Sequence, residues 1–314
     1  MTGHLLPDII LQHYPTSPFA EKVRLMLGYK QLPWKSVIIP SVLPKPDVVA
    51  LTGGYRKTPV LQIGADIYCD TALIADVLEH LQPEPTLYPA HSRGMARTMA
   101  HWADTTLFWT AMAYSLQPKG FAHLFARLPP EAAKTFAEDR KAMSTGMMRL
   151  RPTDAAGAYR SYLRRLSDML DEHPFLLGDA PCITDFAMFH PLWFTRVNTP
   201  VVADIFDATP AVLAWLDRIA AIGHGVMEKL TAADAIAVAA AATPAVLHDE
   251  SFQDEHGIRL GSQVAVRSES FGPEPTTGEL MAATRMHYTL RRTDARAGTV
   301  HVHFPRIGYQ LSIA

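Results

Sequence analysis

The stretch HYPTSPFAEKVR, residues 13–24, decides how the N-terminal part of this chain should fold. The apolar run just before it, residues 9–11, has the length and β-branching of a buried strand. The Pro-Thr-Ser-Pro segment then predicts a turn, and Phe19 and Val23 follow at helical spacing. Pro18 stands at the first helical position, where its missing N–H costs nothing. The spacing therefore places Ser17 at a helix N-terminus.

Ser17 admits two interpretations. A hydroxyl beside the free backbone N–H groups of a helix N-terminus can face a bound anion. Serine is also among the residues preferred as a plain helix N-cap. The spacing alone does not choose between the two roles, so the choice depends on what the following residues predict.

The next strand is predicted at residues 34–39. An irregular segment with one short helix around residues 47–51 follows it. Residues 54–63 predict a loop that enters a strand. A turn at residues 64–66 then joins this strand to a short antiparallel partner at residues 67–69. Asp70 and Thr71 open a helix whose apolar side chains recur at helical spacing as far as Leu81.

These three features, in this order, resemble the N-terminal domain of the glutathione transferase superfamily: the Ser-Pro-Phe-Ala-Glu-Lys-Val-Arg motif, the Thr58-Pro59 strand start and the Asp70-Thr71 helix start. The first motif looks most like serine-type, omega/tau-like members, and omega members carry Cys where Ser17 stands. The resemblance implies an α/β thioredoxin-like domain followed by an all-α glutathione transferase domain. It also implies glutathione as a co-substrate and a homodimer.

The resemblance also implies a catalytic residue. A free thiol has a pKa of about 8.5, so a site that uses glutathione at neutral pH must stabilise its thiolate. Ser17 would do so as a hydrogen-bond donor, together with the positive end of the first helix. A cysteine there would instead perform thiol exchange.

Six further residues are implied to bind glutathione, and each has a plainer alternative. A cis Thr58-Pro59 bond would pair its backbone with the cysteinyl part, whereas a trans proline at a strand start is common. Asp70 would pair with the γ-glutamyl ammonium group and Thr71 with its carboxylate, or both would only cap the helix. The other two are the cations Arg56 and Lys57, which would contact glutathione or stay solvated, while Lys45 competes for the glycyl carboxylate.

Composition limits the other possibilities. The 314 residues are 48% hydrophobic and 19% charged, with a net charge of −2, so nothing predicts a nucleic-acid surface. No apolar run reaches the length of about 20 residues that spans a membrane, and no signal peptide is recognised. Cys69 and Cys182 form no CxxC motif. We therefore expect a cytoplasmic protein without membrane or nucleic-acid partners.

Residues 91–242 are predicted to form a series of helices separated by prolines and turns. Cys182-Ile183-Thr184-Asp185 opens an apolar, central helix and resembles the buried capping box of the superfamily, which has Ser or Thr where Cys182 stands. A thiol is a weak acceptor, so whether Cys182 caps this helix, or Thr184 in a shifted register, stays open.

The C-terminal residues change character. A polar linker, residues 243–256, leads into short alternating runs that predict an additional small antiparallel β module of about four strands, ending in HFPRIGY at residues 303–309. We expect a chain ending near Thr243 to fold without this module. His301 and His303 share one face of a strand, but no third ligand is evident, so no metal site is predicted.

The sequence thus predicts three domains: residues 1–84, thioredoxin-like and glutathione-binding; residues 85–245, all-helical; and residues 246–314, the β module. The function implied by the resemblance is a detoxification transferase that conjugates the glutathione thiolate to a small electrophilic, apolar substrate. Two alternatives stay open: a glutathione-dependent peroxidase or oxidoreductase, and a non-enzymatic glutathione-binding interaction protein.

Overall fold

The computed structural model describes residues 7–148, 150–247, 252–253 and 255–314. The N-terminal elements follow the predicted order, with a short helix between the second and third strands. They are β1 Ile9–His13, α1 Pro18–Tyr29, β2 Trp34–Ile38, α2 Pro46–Thr52, β3 Val60–Ile63, β4 Asp66–Cys69 and α3 Thr71–Leu81. β1 lies between β2, to which it is parallel, and β3, to which it is antiparallel. This is the α/β arrangement that the sequence predicts.

The middle of the chain is helical, as predicted. Its α-helices are α4 Arg93–Trp102, α5 Phe108–Ser115, α6 Pro118–Phe125, α7 Pro130–Met143, α8 Pro152–Met169, α9 Ile183–Trp193 and α10 Pro210–Ala220. A π-helical turn, Ala103–Leu107, joins α4 to α5. None of the described helices is long and apolar enough to cross a membrane.

The buried capping box at the start of α9 forms with Cys182 in the cap position. Asp185 accepts hydrogen bonds from the backbone N–H groups of Cys182 and Leu176 at 3.0 and 2.9 Å, and from Nε1 of Trp215 at 2.9 Å. Three donors on one buried carboxylate tie the helix start to a preceding turn and to α10. The weak thiol acceptor is therefore offset by a fully satisfied aspartate.

After α10 the chain returns to the N-terminal sheet. β5, Met227–Lys229, pairs in parallel with β2, and α11, Ala232–Ala241, packs on α2 and the sheet. The sequence predicts α11 from its alanine content but not β5. The linker that follows includes residues 248–251 and 254, which lie outside the described residues.

Within its described residues, the C-terminal module has five strands rather than four: β6 Gln263–Ser268, β7 Thr276–Ala283, β8 His287–Asp294, β9 Gly298–Pro305 and β10 Tyr309–Ile313. They do not form a free-standing sheet. β9 pairs in parallel with β4, which produces one ten-stranded sheet in the order β10-β6-β7-β8-β9-β4-β3-β1-β2-β5. The three-domain division at residues 84 and 245 stays a prediction.

Two apolar cores lie on the two faces of this sheet. The larger joins the face covered by α1 and α3 to the helical region, around Trp215, Phe186 and Phe189. The second joins α2 and α11 to inward-facing side chains from both halves of the sheet, such as Ile67 from β4 and Val302 from β9. Because this core is shared, the structure argues against the expectation that a chain ending near Thr243 folds normally. Removing β6–β10 would expose apolar surface on the N-terminal half.

Candidate functional site

The predicted site residues lie along one edge of the N-terminal sheet, namely the edge formed by the ends of its strands. β1 ends, β3 begins and β4 ends at this edge, because Gln12 is paired with Val60 and Val60 with Cys69. The segments that carry Ser17, Thr58-Pro59 and Asp70-Thr71 leave the sheet directly beyond these pairs. Three sequence-distant motifs are therefore brought together, as the resemblance implies.

Ser17 caps α1. Its Oγ accepts a hydrogen bond from the backbone N–H of Ala20 at 3.2 Å, and Pro18 occupies the first helical turn. The side chain is buried, with the residue 2% exposed. The capping interpretation of Ser17 is thus confirmed, and it is compatible with a second role only if the hydroxyl becomes accessible.

The peptide bond between Thr58 and Pro59 is cis, as the resemblance implies. Beside it, Nζ of buried Lys45 donates to Thr58 Oγ1 at 3.2 Å and to the carbonyl oxygen of Arg56 at 3.0 Å. Burial, with a smaller effect from Arg140, lowers the pKa of Lys45 to about 8. Lys45 therefore fastens the loop before β3 from within.

Asp70 and Thr71 open α3, and both already have partners. Asp70 has a left-handed backbone, with φ of 76°. Its Oδ1 caps Ala72 N at 3.0 Å, and its Oδ2 accepts from the hydroxyl of Tyr309 in β10 at 3.0 Å. Thr71 Oγ1 accepts from Lys22 Nζ at 3.1 Å. The last strand of the chain therefore reaches a residue that the resemblance assigns to ligand binding.

A buried ionic network supports this corner. Lys22 Nζ lies 2.6 Å from Asp104 Oδ2, and Asp104 Oδ1 accepts from His190 Nε2 at 2.9 Å. Burial alone would raise the pKa of Asp104, but Lys22 and His190 hold it below its ordinary value. Burial lowers the pKa of His190 in spite of the neighbouring Asp104, which favours the neutral imidazole. The network links α1, the π-helical turn and α9 behind Thr71.

Arg56 and Lys57 are not solvated loop charges. Arg56 forms ion pairs with Asp139 of α7 at 2.6 Å and with Glu274 at 2.5 Å. Lys57 Nζ donates to Ser268 Oγ at 3.1 Å and lies 4.7 Å from the centre of the Tyr309 ring. Both cations are therefore neutralised or shielded by α7 and by the C-terminal strands.

Residues 269–275, the connection between β6 and β7, lie over this edge, and we call them the cover segment. The ring of Phe271 lies 5.1 Å from that of Trp109 in α5, and Gly272 N donates to the carbonyl of Met143 in α7 at 2.8 Å. A Cβ added to Gly272 would lie 2.9 Å from the terminal methyl of Met143, so the approach is close. The cover segment thus bridges the sheet edge and the helical region.

Sequence reasoning missed the cover segment and Tyr309. The HFPRIGY segment is visible in the sequence, but nothing in it shows that its tyrosine reaches Asp70. Both ring nitrogens of His13, at the end of β1, are engaged within the fold: Nε2 lies 2.8 Å from Ser36 Oγ and Nδ1 lies 3.0 Å from Arg24 Nη1. Burial and the nearby Arg24 lower the pKa of His13 to about 4.

A carboxylate that the sequence did not reveal lies beside the two histidines of β9. Asp66 of β4 lies beside His301 and His303 of β9, and one ligand atom from each lies within 4.8 Å of the others. The sequence predicted no metal site because Asp66, more than two hundred positions away in the chain, could not be recognised as a neighbour of the two histidines.

Comparison with known proteins gives two family matches. Residues 11–86 match the family described as glutathione S-transferase, N-terminal domain, and residues 133–218 match glutathione S-transferase, C-terminal domain. A GST-like protein from Pseudomonas syringae is 44% identical, with a TM-score of 0.81, over 98% of this chain and 100% of that chain. That match extends beyond the two family regions and takes in the C-terminal strands.

Two curated relatives are more distant. FtsZ-localized protein A of Caulobacter vibrioides is 24% identical over 183 residues, or 56% of this chain and 72% of that protein. Pyrimidodiazepine synthase of Drosophila melanogaster is 32% identical over 97 residues, or 28% of this chain and 40% of that protein.

Proposed function

Because this chain belongs to the glutathione S-transferase superfamily, we propose that it binds glutathione at the sheet edge described above. There it transfers the glutathione thiolate to a small electrophilic, apolar substrate. The supporting observation is the register that brings the N-termini of α1 and α3 and the cis Thr58-Pro59 bond to one edge. Two helix N-termini provide positive potential for the thiolate and for the γ-glutamyl carboxylate.

The role proposed for Ser17 is to donate its hydroxyl hydrogen to the thiolate. The hydroxyl oxygen accepts from Ala20 N, so its hydrogen is free to point elsewhere. Asp70 is proposed to exchange the Tyr309 hydroxyl for the ammonium group of glutathione, a stronger, charge-assisted partner. Thr71 retains Lys22 as a donor to its Oγ1, which leaves its own hydroxyl hydrogen for the carboxylate.

Glutathione entry requires the C-terminal strands to move. Tyr309 is hydrogen-bonded to Asp70, Ser268 is hydrogen-bonded to Lys57, and Glu274 forms an ion pair with Arg56. The proposed contacts of Arg56 and Lys57 with glutathione therefore compete with intramolecular ones. We infer that the cover segment and β10 determine which molecules reach Ser17.

The test is calorimetric titration with glutathione, followed by turnover of 1-chloro-2,4-dinitrobenzene, a general electrophilic probe. Thr16→Ala is the matched control, since Thr16 is the neighbouring hydroxyl and is exposed. The proposal requires saturable binding and turnover that falls in Ser17→Ala but not in Thr16→Ala. Equal turnover in both variants would remove Ser17 from the reaction.

A second candidate is a non-catalytic interaction protein that retains the fold. The observation in its favour is that the chain's own Tyr309 and cover segment fill the edge. One relative bears the name FtsZ-localized protein A. Glutathione binding without turnover of any electrophile would favour this candidate over the transferase.

The oxidoreductase alternative has less support. Thiol exchange requires a reactive thiolate, and Ser17 stands where that cysteine would be. Burial raises the pKa of Cys69, and burial with the nearby Asp185 raises that of Cys182 to about 12. The homodimer and the cytoplasmic location stay predictions.

A further inference from the structure

A cluster of side chains of the types that bind metals lies where the C-terminal module contacts the N-terminal sheet. In the parallel pair of β4 and β9, Asp66 lies opposite His301 and Tyr68 opposite His303. Residues two apart in a strand, and the residues opposite them, point to the same face of a sheet. Asp66, His301 and His303 therefore share one face, and all three are buried.

The distances among these three side chains suit a metal ion bound by all of them. Asp66 Oδ1 lies 2.9 Å from His303 Nε2 and 3.8 Å from His301 Nδ1. Donor atoms about 2.0–2.2 Å from a tetrahedral Zn²⁺ are separated from one another by roughly 3.3–3.6 Å. The two observed distances lie on either side of this range, so small side-chain rotations would accommodate the ion.

One atom of the cluster lacks a partner. Nδ1 of His301 is buried and makes no hydrogen bond within the described part of the chain, although it faces a carboxylate. Buried polar atoms are nearly always paired, and leaving one unpaired is destabilising. A cation between His301 and Asp66 would accept the nitrogen lone pair and neutralise the carboxylate at once.

The surrounding groups hold the candidate ligands in place. Thr289 Oγ1 lies 3.0 Å from His303 Nδ1, the Tyr68 ring stacks on His303 at 4.5 Å, and Asp66 Oδ2 accepts from Ala245 N at 2.8 Å. A threonine hydroxyl can donate or accept. It can therefore follow His303 from the tautomer that donates to Asp66 to the one that presents a free Nε2. Such outer partners orient the ligands of metal sites.

We propose that Asp66, His301 and His303 bind one divalent transition-metal ion, with Zn²⁺ the best match to two imidazole nitrogens and one carboxylate oxygen. The ion fastens β9 to β4 and thereby holds the C-terminal module on the N-terminal sheet. The site lies outside the glutathione edge, and the proposal that it binds an ion does not rest on the function proposed above.

The test uses untagged, full-length protein that has been dialysed against a chelator. Zn²⁺ is titrated by calorimetry, and Co²⁺ is added separately to record visible absorption. His301→Leu removes one ligand and also the unpartnered nitrogen, so this variant should fold without metal at least as well as the parent. His256→Gln, at an exposed histidine of the same module, is the matched control.

The proposal predicts one Zn²⁺ per chain, an apparent Tm that rises with Zn²⁺, and d–d absorption from Co²⁺. His301→Leu should bind Zn²⁺ at least about 100-fold more weakly, since changing even outer partners costs 10–100-fold. The control should behave like the parent. Absence of saturable binding in the parent, or equal affinity in His301→Leu, would show that the cluster is only a hydrogen-bonded His–Asp pair.

Discussion

Asp104→Asn is the sharpest test of what supports the candidate site. The substitution keeps the side-chain shape but removes the charge that balances Lys22, whose side chain is 1% exposed. Removing one partner of a buried ion pair destabilises a protein by about 3–5 kcal/mol, because the other charge remains buried and uncompensated. Since the Asp104 side chain is 15% exposed, we expect the lower end, about 3 kcal/mol.

Urea and thermal unfolding, followed by circular dichroism, measure this loss. Asp217→Asn is the matched control, because Asp217 forms an ion pair with Arg196 while its side chain is 66% exposed. Such surface pairs contribute about 1 kcal/mol at most. Each variant differs from the parent by the same Asp-to-Asn change. The difference between their unfolding free energies therefore reports the burial of the ion pair and not the substitution itself.

A double variant separates charge balance from packing. Adding Lys22→Met to Asp104→Asn removes the unpaired ammonium group and should recover part of this loss, because contacting residues couple by about 0.5–3 kcal/mol. Two results would refute the reasoning: Asp104→Asn as stable as Asp217→Asn, or a double variant less stable than Asp104→Asn alone. Either would mean that Lys22 finds adequate solvation without its carboxylate.

Four further predictions concern other features of the molecule. Burial, helped by Arg24, lowers the pKa of His13 from 6.5 to about 4. Protonation of His13 therefore does not reduce the free energy of unfolding above pH 6.5, but about 3 kcal/mol of it is lost as the pH falls to 4. His13→Gln should therefore flatten the pH dependence of unfolding in that interval. A chain ending at Thr243 should be insoluble or lack a cooperative unfolding transition, and a soluble, cooperatively folded product would contradict the shared core. If Ser17 stabilises the thiolate, Ser17→Ala should raise the thiol pKa of bound glutathione by about one unit, or ~1.4 kcal/mol, as read from ultraviolet thiolate absorption. Ser17→Cys should form a mixed disulfide with oxidised glutathione, releasing one glutathione thiolate, and mass spectrometry would detect the adduct.

The local elements near the candidate site were predictable because each has a local cause. Pro18 and Ser17 define the start of α1, and the Gly64 turn pairs β3 with β4. The pairing of β4 with β9 was not predictable, because a parallel partner can lie anywhere along the chain. The same limit hid Asp66 as a neighbour of His301, and Tyr309 as a partner of Asp70.

β5 was missed for a different reason. It has three exposed residues and no alternation of apolar and polar side chains, so its only cause is the open edge of β2. The intramolecular contacts of Arg56 and Lys57 were not predictable for a related reason. A charged loop normally faces water, and only the arrival of α7 and the cover segment brings Asp139 and Glu274 to Arg56.

The pairing of β4 with β9 also sets an order of events on the ribosome. Asp66 and His303 are 237 positions apart, so at 5–20 residues per second roughly 10–50 s separate their synthesis. During that interval the edge of β4 has no strand beside it, and open edges with apolar neighbours recruit other chains. The nascent protein thus passes through a long stage at which chaperones can bind it. Translation speed between β4 and β9 should then affect the yield of native protein more than translation speed before β4.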